Sequence, residues 1–406
     1  MESHTEQIQW TKHVLGGGRW LVLLVVAGGW LSILGGRYLF PVLLPSVQQS
    51  FGLSETSAGI AITVLWGAYA LIQFPAGALT DRLGERTLLT TSLLVAAGAI
   101  VGVSVAPTFG GFVVGCGLFG LASGLYGPAR GTVLSKTFGS FDGTAIGVVL
   151  AIGSIGSAVI PLVASHLLTS LHWRTVVLGL VVPLGVVGGG IWCVIESPTA
   201  HATDRQSTAL TVSTLLGALT RRSVIVGTTA ATVLLFVLQG LTAFLPVYYV
   251  RAGGVEQSTA ALLYALFFTS GAVFQSLGGT LADRFGDPTV LMGVTVVASL
   301  GLFVLPSVSG GVPLAIVTVL LSSRLAINSV SNAYLIDSLP ADNRATVWGL
   351  LRTVFFLVGA TGSTVVGFFF DHGYETVAIY GLGGLTAVGT VLYLFLPRRT
   401  GESSDG

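Results

Sequence analysis

Four arginines stand inside long apolar stretches: Arg37 in "LGGRYLFPVLLP", Arg130 in "GLYGPARGTVLSKTF", Arg324 in "VLLSSRLAINSVSNAYLID" and Arg352 in "GLLRT". A guanidinium surrounded by hydrocarbon is costly, so it faces a cavity or a partner. Arg324 lies in the middle of its run. Asn328 follows at i+4, and Ser331 and Asn332 continue the same helical face, which predicts a polar stripe. Arg37 has Gly35 and Gly36 beside it to make room, and Pro41 and Pro45 beyond it to bend the chain. No acidic residue sits deep enough in these runs to neutralise either one. Glu55, Asp81, Asp142, Glu196, Asp337 and Asp371 come nearest, all at the ends of runs or between them. A buried guanidinium with no carboxylate is expensive, and an anion from solution is its natural partner. Arginine binds carboxylate or phosphate with a two-pronged geometry. Arg37, Arg324, Asn328 and Asn332 are therefore candidate substrate-binding residues, with Gln239 and Tyr126 as further polar groups. The alternative is that each guanidinium bonds backbone carbonyls near a Gly or Pro break. Arg130 and Arg352 lie nearer the ends of their runs and read as gating or structural groups, Arg130 facing Asp81 or Asp142 and Arg352 facing Asp337.

The elements that hold these residues are membrane spans. Of 406 residues 52% are hydrophobic and only 9% charged, and the mean hydropathy is +0.86. A water-soluble surface needs about a quarter of residues charged. The 56 glycines suit close helix packing in a bilayer. Runs of about 20 apolar residues, enough to cross a bilayer, lie near 20–46, 55–79, 87–106, 109–135, 142–168 and 173–194 (spans 1 to 6). A second set lies near 223–250, 257–282, 289–307, 311–336, 344–370 and 374–396 (spans 7 to 12). The fold class is all-α and polytopic: twelve transmembrane helices in two six-helix bundles, 1–195 and 223–406, joined by a polar linker at 196–222. No cleavable signal peptide is evident, since residues 1–14 are polar and the first apolar run is too long for a signal core. Cys116 and Cys193 read as small core residues, and the six His are scattered. These observations offer no catalytic constellation, no metal site and no cofactor site, and the net charge of +1 gives no reason to expect a nucleic-acid partner. A monomer in the lipid bilayer is expected.

Lys and Arg in the loops set the orientation. With the N-terminus in the cytoplasm, the inner segments hold Lys12, Arg19, Arg82, Arg86, Lys136, Arg205, Arg221, Arg222, Arg284, Arg344, Arg398 and Arg399, and the outer loops hold only Arg174 and Arg251. Both termini are expected inside, at the plasma membrane. The loop between spans 2 and 3 reads "GALTDRLGER", and the loop between spans 8 and 9 reads "GTLADRFGDP". Gly77, Asp81, Arg82 and Gly84 match Gly279, Asp283, Arg284 and Gly286 at an offset of 202 positions. "GLSETSAG" and "GVEQSTAA" keep the same offset, so the halves form a parallel repeat. Gly84 supplies a permissive backbone angle at the turn, and Gly77 lets a helix pack closely. Asp81 can accept from a helix N-terminus, and Arg82 and Arg86 can reach Asp142.

The loop 2–3 sequence fits the pattern G-x-x-x-D-(R/K)-x-G-x-(R/K), of which the second copy is a degraded form. With the twelve spans and "GLYGPARGTVLSKTF", "LHWR" and "SLPADNRATVWGLLRT", it resembles the major facilitator superfamily over the whole chain. The resemblance implies a secondary transporter working by alternating access, with a central cavity lined mainly by spans 1, 4, 7 and 10. It makes the loop motif, with Asp81, Arg82, Arg86 and Asp142 and with Asp283, Arg284 and Gly286 of the second copy, an inter-domain latch. Glu85 departs from the pattern at a position that is often basic. "GSIGSAVIP" at 153–161 resembles a motif of the family's antiporters but lacks its Gly pair after the Pro, which leaves the direction of transport open. The arginines point to a small organic or inorganic anion as substrate, a carboxylate or phosphate ester. Efflux of hydrophobic, drug-like compounds is the alternative, followed by a sensor that does not transport. Enzymatic chemistry is not expected.

Overall fold

The structure, a computed structural model, describes residues 18–196, 221–339 and 344–397. Lys12, Arg205, Arg398, Arg399 and most of the 196–222 linker lie outside the described residues. The chain divides into two compact units, Met1–Arg205 and Gln206–Gly406.

In the first unit the spans are Arg19–Phe51, Glu55–Leu83, Glu85–Val105, Phe109–Phe138 and Asp142–Leu167, with a sixth made of Trp173–Leu178 and Val181–Val194. In the second they are Arg222–Arg251, Gln257–Phe285, Asp287–Val304, Gly311–Ser322 with Leu325–Asp337, Arg344–Ala360 with Gly362–Asp371, and Glu375–Leu394. Among the described residues 11 helices are long and apolar enough to cross a membrane, one of them a 59-residue stretch, Phe109–Leu167. That stretch is two crossings. It turns at Gly139, whose φ of 54° and ψ of −115° suit glycine, into a short 3₁₀ segment Gly139–Phe141. The twelve predicted spans are thus all helical, six to a unit.

Three spans expected to be continuous are interrupted. Around Ser323 and Arg324 the backbone donors reach back three residues: Ser323 N to Leu320 O (3.2 Å), Arg324 N to Leu321 O (3.3 Å), Ala326 N to Ser323 O and Ile327 N to Arg324 O (both 3.0 Å). Side-chain hydroxyls accompany this: Ser322 Oγ donates to Val319 O at 2.7 Å and Ser323 Oγ to Leu320 O at 2.6 Å. Such back-bonding competes with the helical ladder and tightens it. The break in span 11 has the same accompaniment, Thr361 Oγ1 donating to Val358 O at 2.6 Å. Span 6 breaks at Gly179, whose N–H is shared between Thr175 O and Val176 O, each at 3.2 Å.

Within each unit, helices cross where glycine leaves no side chain. Spans 1 and 5 meet where a methyl on Gly156 would collide with the Leu31 backbone. Spans 7 and 11 meet where one on Gly362 would collide with the Phe236 carbonyl. Such crossings bring backbones together in the absence of a hydrophobic driving force. The turns of the duplicated loops match closely: Gly84 has φ 78° and ψ 155°, and Gly286 has φ 84° and ψ 144°. Both use a conformation open to glycine, as expected for Gly84.

Candidate functional site

In the first unit Arg37 is 3% exposed. Its Nε donates to Ser123 Oγ at 3.1 Å and its Nη2 to the Ser123 carbonyl at 3.0 Å. The guanidinium lies 4.0 Å from the centre of the Tyr69 ring, 5.2 Å from Trp66 and 5.5 Å from Trp30. Span 4 thus supplies oxygen, and spans 1 and 2 supply π faces, to which a cation is drawn. Trp30 also carries Arg130 over its ring at 4.1 Å and stacks on Tyr126 with centroids 6.2 Å apart. The Tyr126 hydroxyl donates to Val26 O at 2.8 Å. Gly29 leaves room for it, since a methyl there would overlap the phenol. The structure therefore gathers Arg37, Tyr126 and Arg130 around one indole. Trp30 itself went unpredicted, although it stands seven residues before Arg37 and so on the same helical face.

In the second unit Arg324 is 3% exposed and donates from Nη2 to Leu234 O of span 7 at 2.7 Å. Arg37 and Arg324 each donate to a main-chain carbonyl, which is one component of the alternative reading of the sequence. The polar stripe is also split: Arg324 and Ser331 are buried, Asn332 is half-buried and Asn328 is exposed. A 3₁₀ step turns the chain by about 120° per residue instead of about 100°, so i+4 no longer marks the same face across the break. Gln239 is 1% exposed, and both ends of its carboxamide lack a hydrogen-bond partner among the described residues.

The loop residues behave differently. Asp81 and Arg82 are exposed, as are Asp283 and Arg284, the latter 5.3 Å from the Phe285 ring centre. Among the described residues a methyl on Gly77 or Gly279 would meet nothing within 4 Å. Two further charges, Glu85 (matched by Asp287) and Arg86 (replaced by Pro288), hold this loop to its own unit: Glu85 pairs with Lys136 at 2.5 Å, and Arg86 lies 3.9 Å from the Trp192 ring centre. Asp142, expected to face Arg82, Arg86 or Arg130, accepts from Ser135 Oγ at 2.9 Å. Asp337 lies 4.0 Å from Arg344, and Arg352 lies 5.5 Å from the Phe356 ring centre. "LHWR" is structural: Trp173 Nε1 donates to Ser50 Oγ at 2.8 Å, and Arg174 caps the end of span 3 through Ser104 O and Ala106 O, at 2.9 and 2.8 Å.

Twelve apolar helices in two units with a repeated turn are joined by one decisive likeness. The sequence profile of the Major Facilitator Superfamily matches residues 25–362 and 254–406. The chain belongs to the major facilitator superfamily. As a transporter of that superfamily it is similar to the fosmidomycin resistance protein of Escherichia coli, 22% identical over 88% of each chain. It is similar to the probable sulfoacetate transporter SauU of Cupriavidus necator, 25% identical over 91% of this chain and 92% of the relative. It is also similar to the probable nitrate/nitrite antiporter NarK1 of Thermus thermophilus, 27% identical over 68% and 66%. Among solved structures, a bacterial homolog of the human lysosomal transporter Spinster, inward-facing and occupied, matches with a TM-score of 0.75. At 15% identity, over 93% of this chain and 96% of that one, it shows the superfamily's fold alone.

Proposed function

We propose that the protein carries a small anion, organic or inorganic, across the plasma membrane by alternating access, both termini lying in the cytoplasm. The observation that carries this reading is the sign of the buried charge. Among the described residues the buried charged side chains are Arg37, Arg324 and Glu55. Both arginines lie within spans, whereas Glu55 is the first residue of span 2 and accepts from Gln48 at 2.6 Å. Hydrogen bonds from the arginines to neutral oxygens leave their formal charge in place, and at low dielectric that charge favours an anion. Arg324 is the first-ranked contact, because it stands at a break in its span, where transporters of this kind place their sites. Arg37 is fixed by Ser123 and three rings, so it acts more through the field it adds than through direct grip. Relatives named for nitrate, nitrite and sulfoacetate support an anionic cargo.

The duplicated Asp81, Arg82, Asp283 and Arg284, exposed and carried on matching turns, serve in this reading as the latch between the halves. The resistance protein among the relatives favours efflux of drug-like compounds as the second reading. One experiment separates the two. Proteoliposomes holding the wild type or Arg324→Gln are assayed with carboxylates, phosphates, nitrate and cationic dyes, and each variant's melting temperature is recorded. Anion uptake falling about a hundredfold in a variant that still melts cooperatively supports the proposal, since a lost charged contact is worth about 1.5–3 kcal/mol. Unchanged anion uptake, or uptake confined to dyes, overturns it.

A further inference from the structure

The repeat allows the interiors of the two units to be compared position by position. At the offset of 202, Arg37 corresponds to Gln239, Tyr69 to Gly271 and Ser123 to Leu325. In the first unit the buried polar group is surrounded by the partners it needs, Tyr69 beneath the guanidinium and Ser123 in front of it. In the second unit the same two places hold no polar side chain. Leu325 instead fills the space left by Gly271, where a methyl would lie 3.0 Å from Leu325 Cγ and closer still to its Cδ1. Gln239 therefore keeps a buried carboxamide whose nitrogen and oxygen both lack partners among the described residues. Its own main-chain carbonyl is not idle, accepting from Ser363 Oγ at 3.1 Å, so the deficit is confined to the side chain. The Leu234 carbonyl gripped by Arg324 lies five residues earlier on the same span, about 7.5 Å along the axis.

An unpaired buried amide lowers stability, and a leucine of similar shape would remove the deficit. A carboxamide offers two donors and one acceptor, and a single hydroxyl can satisfy one of each. From this we infer that Gln239 recognises an uncharged hydrogen-bonding substituent of the substrate, a hydroxyl or carbonyl, so that the transported anion carries such a group beside its charge. This rests on the anion reading above and narrows its substrate class. A bare carboxylate or sulfonate with a methyl in that place would leave the amide unpaired in the complex. Sites built to hydrogen-bond a group reject analogues that lack it far more strongly than apolar pockets reject an extra methylene.

The test uses matched probes in proteoliposomes: glycolate against acetate, lactate against propionate, and 2-hydroxyethanesulfonate against ethanesulfonate. The wild type is expected to favour the hydroxylated member by about tenfold or more in kcat/KM, the lower range for one hydrogen bond to a buried group. In Gln239→Leu that ratio is expected to collapse towards one while the melting temperature rises. Equal rates for both members in the wild type, or a ratio that survives in Gln239→Leu, would overturn the hydroxyl assignment and leave the anion reading standing. A lowered melting temperature in Gln239→Leu would also overturn it, because it would show the amide to be satisfied within the folded protein. Transport of cationic dyes with none of the six anions would sink both readings together.

Discussion

The two six-span units share a plan and differ inside it. At the duplicated turns Gly84 and Gly286 adopt nearly one conformation, with φ of 78° and 84°. At the helix crossings Gly156 and Gly362 play the same part, each pressed against the backbone of the unit's first span. Yet between those fixed points one unit encloses an arginine held by Ser123 and aromatic rings, and the other encloses a glutamine whose carboxamide has no hydrogen-bond partner among the described residues. The comparison teaches that backbone geometry and polar content are separable in this molecule. Turns and crossings are held by the absence of side chains, which both halves retain, and recognition is left to positions free to diverge.

The strongest way to break this comparison is at the crossings. Gly156→Leu and Gly362→Leu are each expected to cost several kcal/mol and to abolish monodisperse protein in detergent, because backbone cannot yield to the new side chain. Gly77→Leu, facing open space, should leave the yield unchanged. Size-exclusion profiles of the three variants decide it, and equal yields would refute the crossing role. Next in size, Arg37→Met should lower stability by about 3 kcal/mol through loss of two charged hydrogen bonds and the aromatic contacts. Gln239→Met at the matching position should lower it little or not at all. A thermal melt showing similar losses for both would erase the asymmetry. Tyr126→Phe should cost about 1 kcal/mol, the price of the bond to Val26. The smallest effect is local: Thr361→Val removes the hydroxyl that tightens span 11, and amides 361–365 should exchange hydrogen more slowly. Faster exchange there would contradict the account of that break.

How far the sequence foretold all this depends on the range of the forces involved. The spans were legible because about 20 apolar residues in a row have few other fates. The loop turns were legible because glycine at two positions 202 apart marks a backbone need. The partners of Arg37 were not, since Tyr69 lies 32 residues away and Ser123 lies 86 away, on other spans. The placing of Arg324 within its span agrees with its burial, but the neighbourhood differs from the expected one. The stripe through Asn328 assumed an unbroken helix, and the winding changes at 323 and 324, where serine hydroxyls bond back to the main chain.

Those interruptions bear on mechanics. Five spans of the first unit, of 33, 29, 21, 30 and 26 residues, are unbroken but four of them carry prolines (Pro41 and Pro45, Pro75, Pro128, Pro161), and the sixth is broken at Gly179. The second unit has joints in two spans, at Ser323–Arg324 and at Thr361. A continuous i→i−4 ladder resists flexure, whereas a segment already rewound to i→i−3 can bend without surrendering further bonds. The two units thus place their soft points differently, the first at prolines within unbroken spans and at Gly179, the second at serine and threonine steps, one of them beside Arg324.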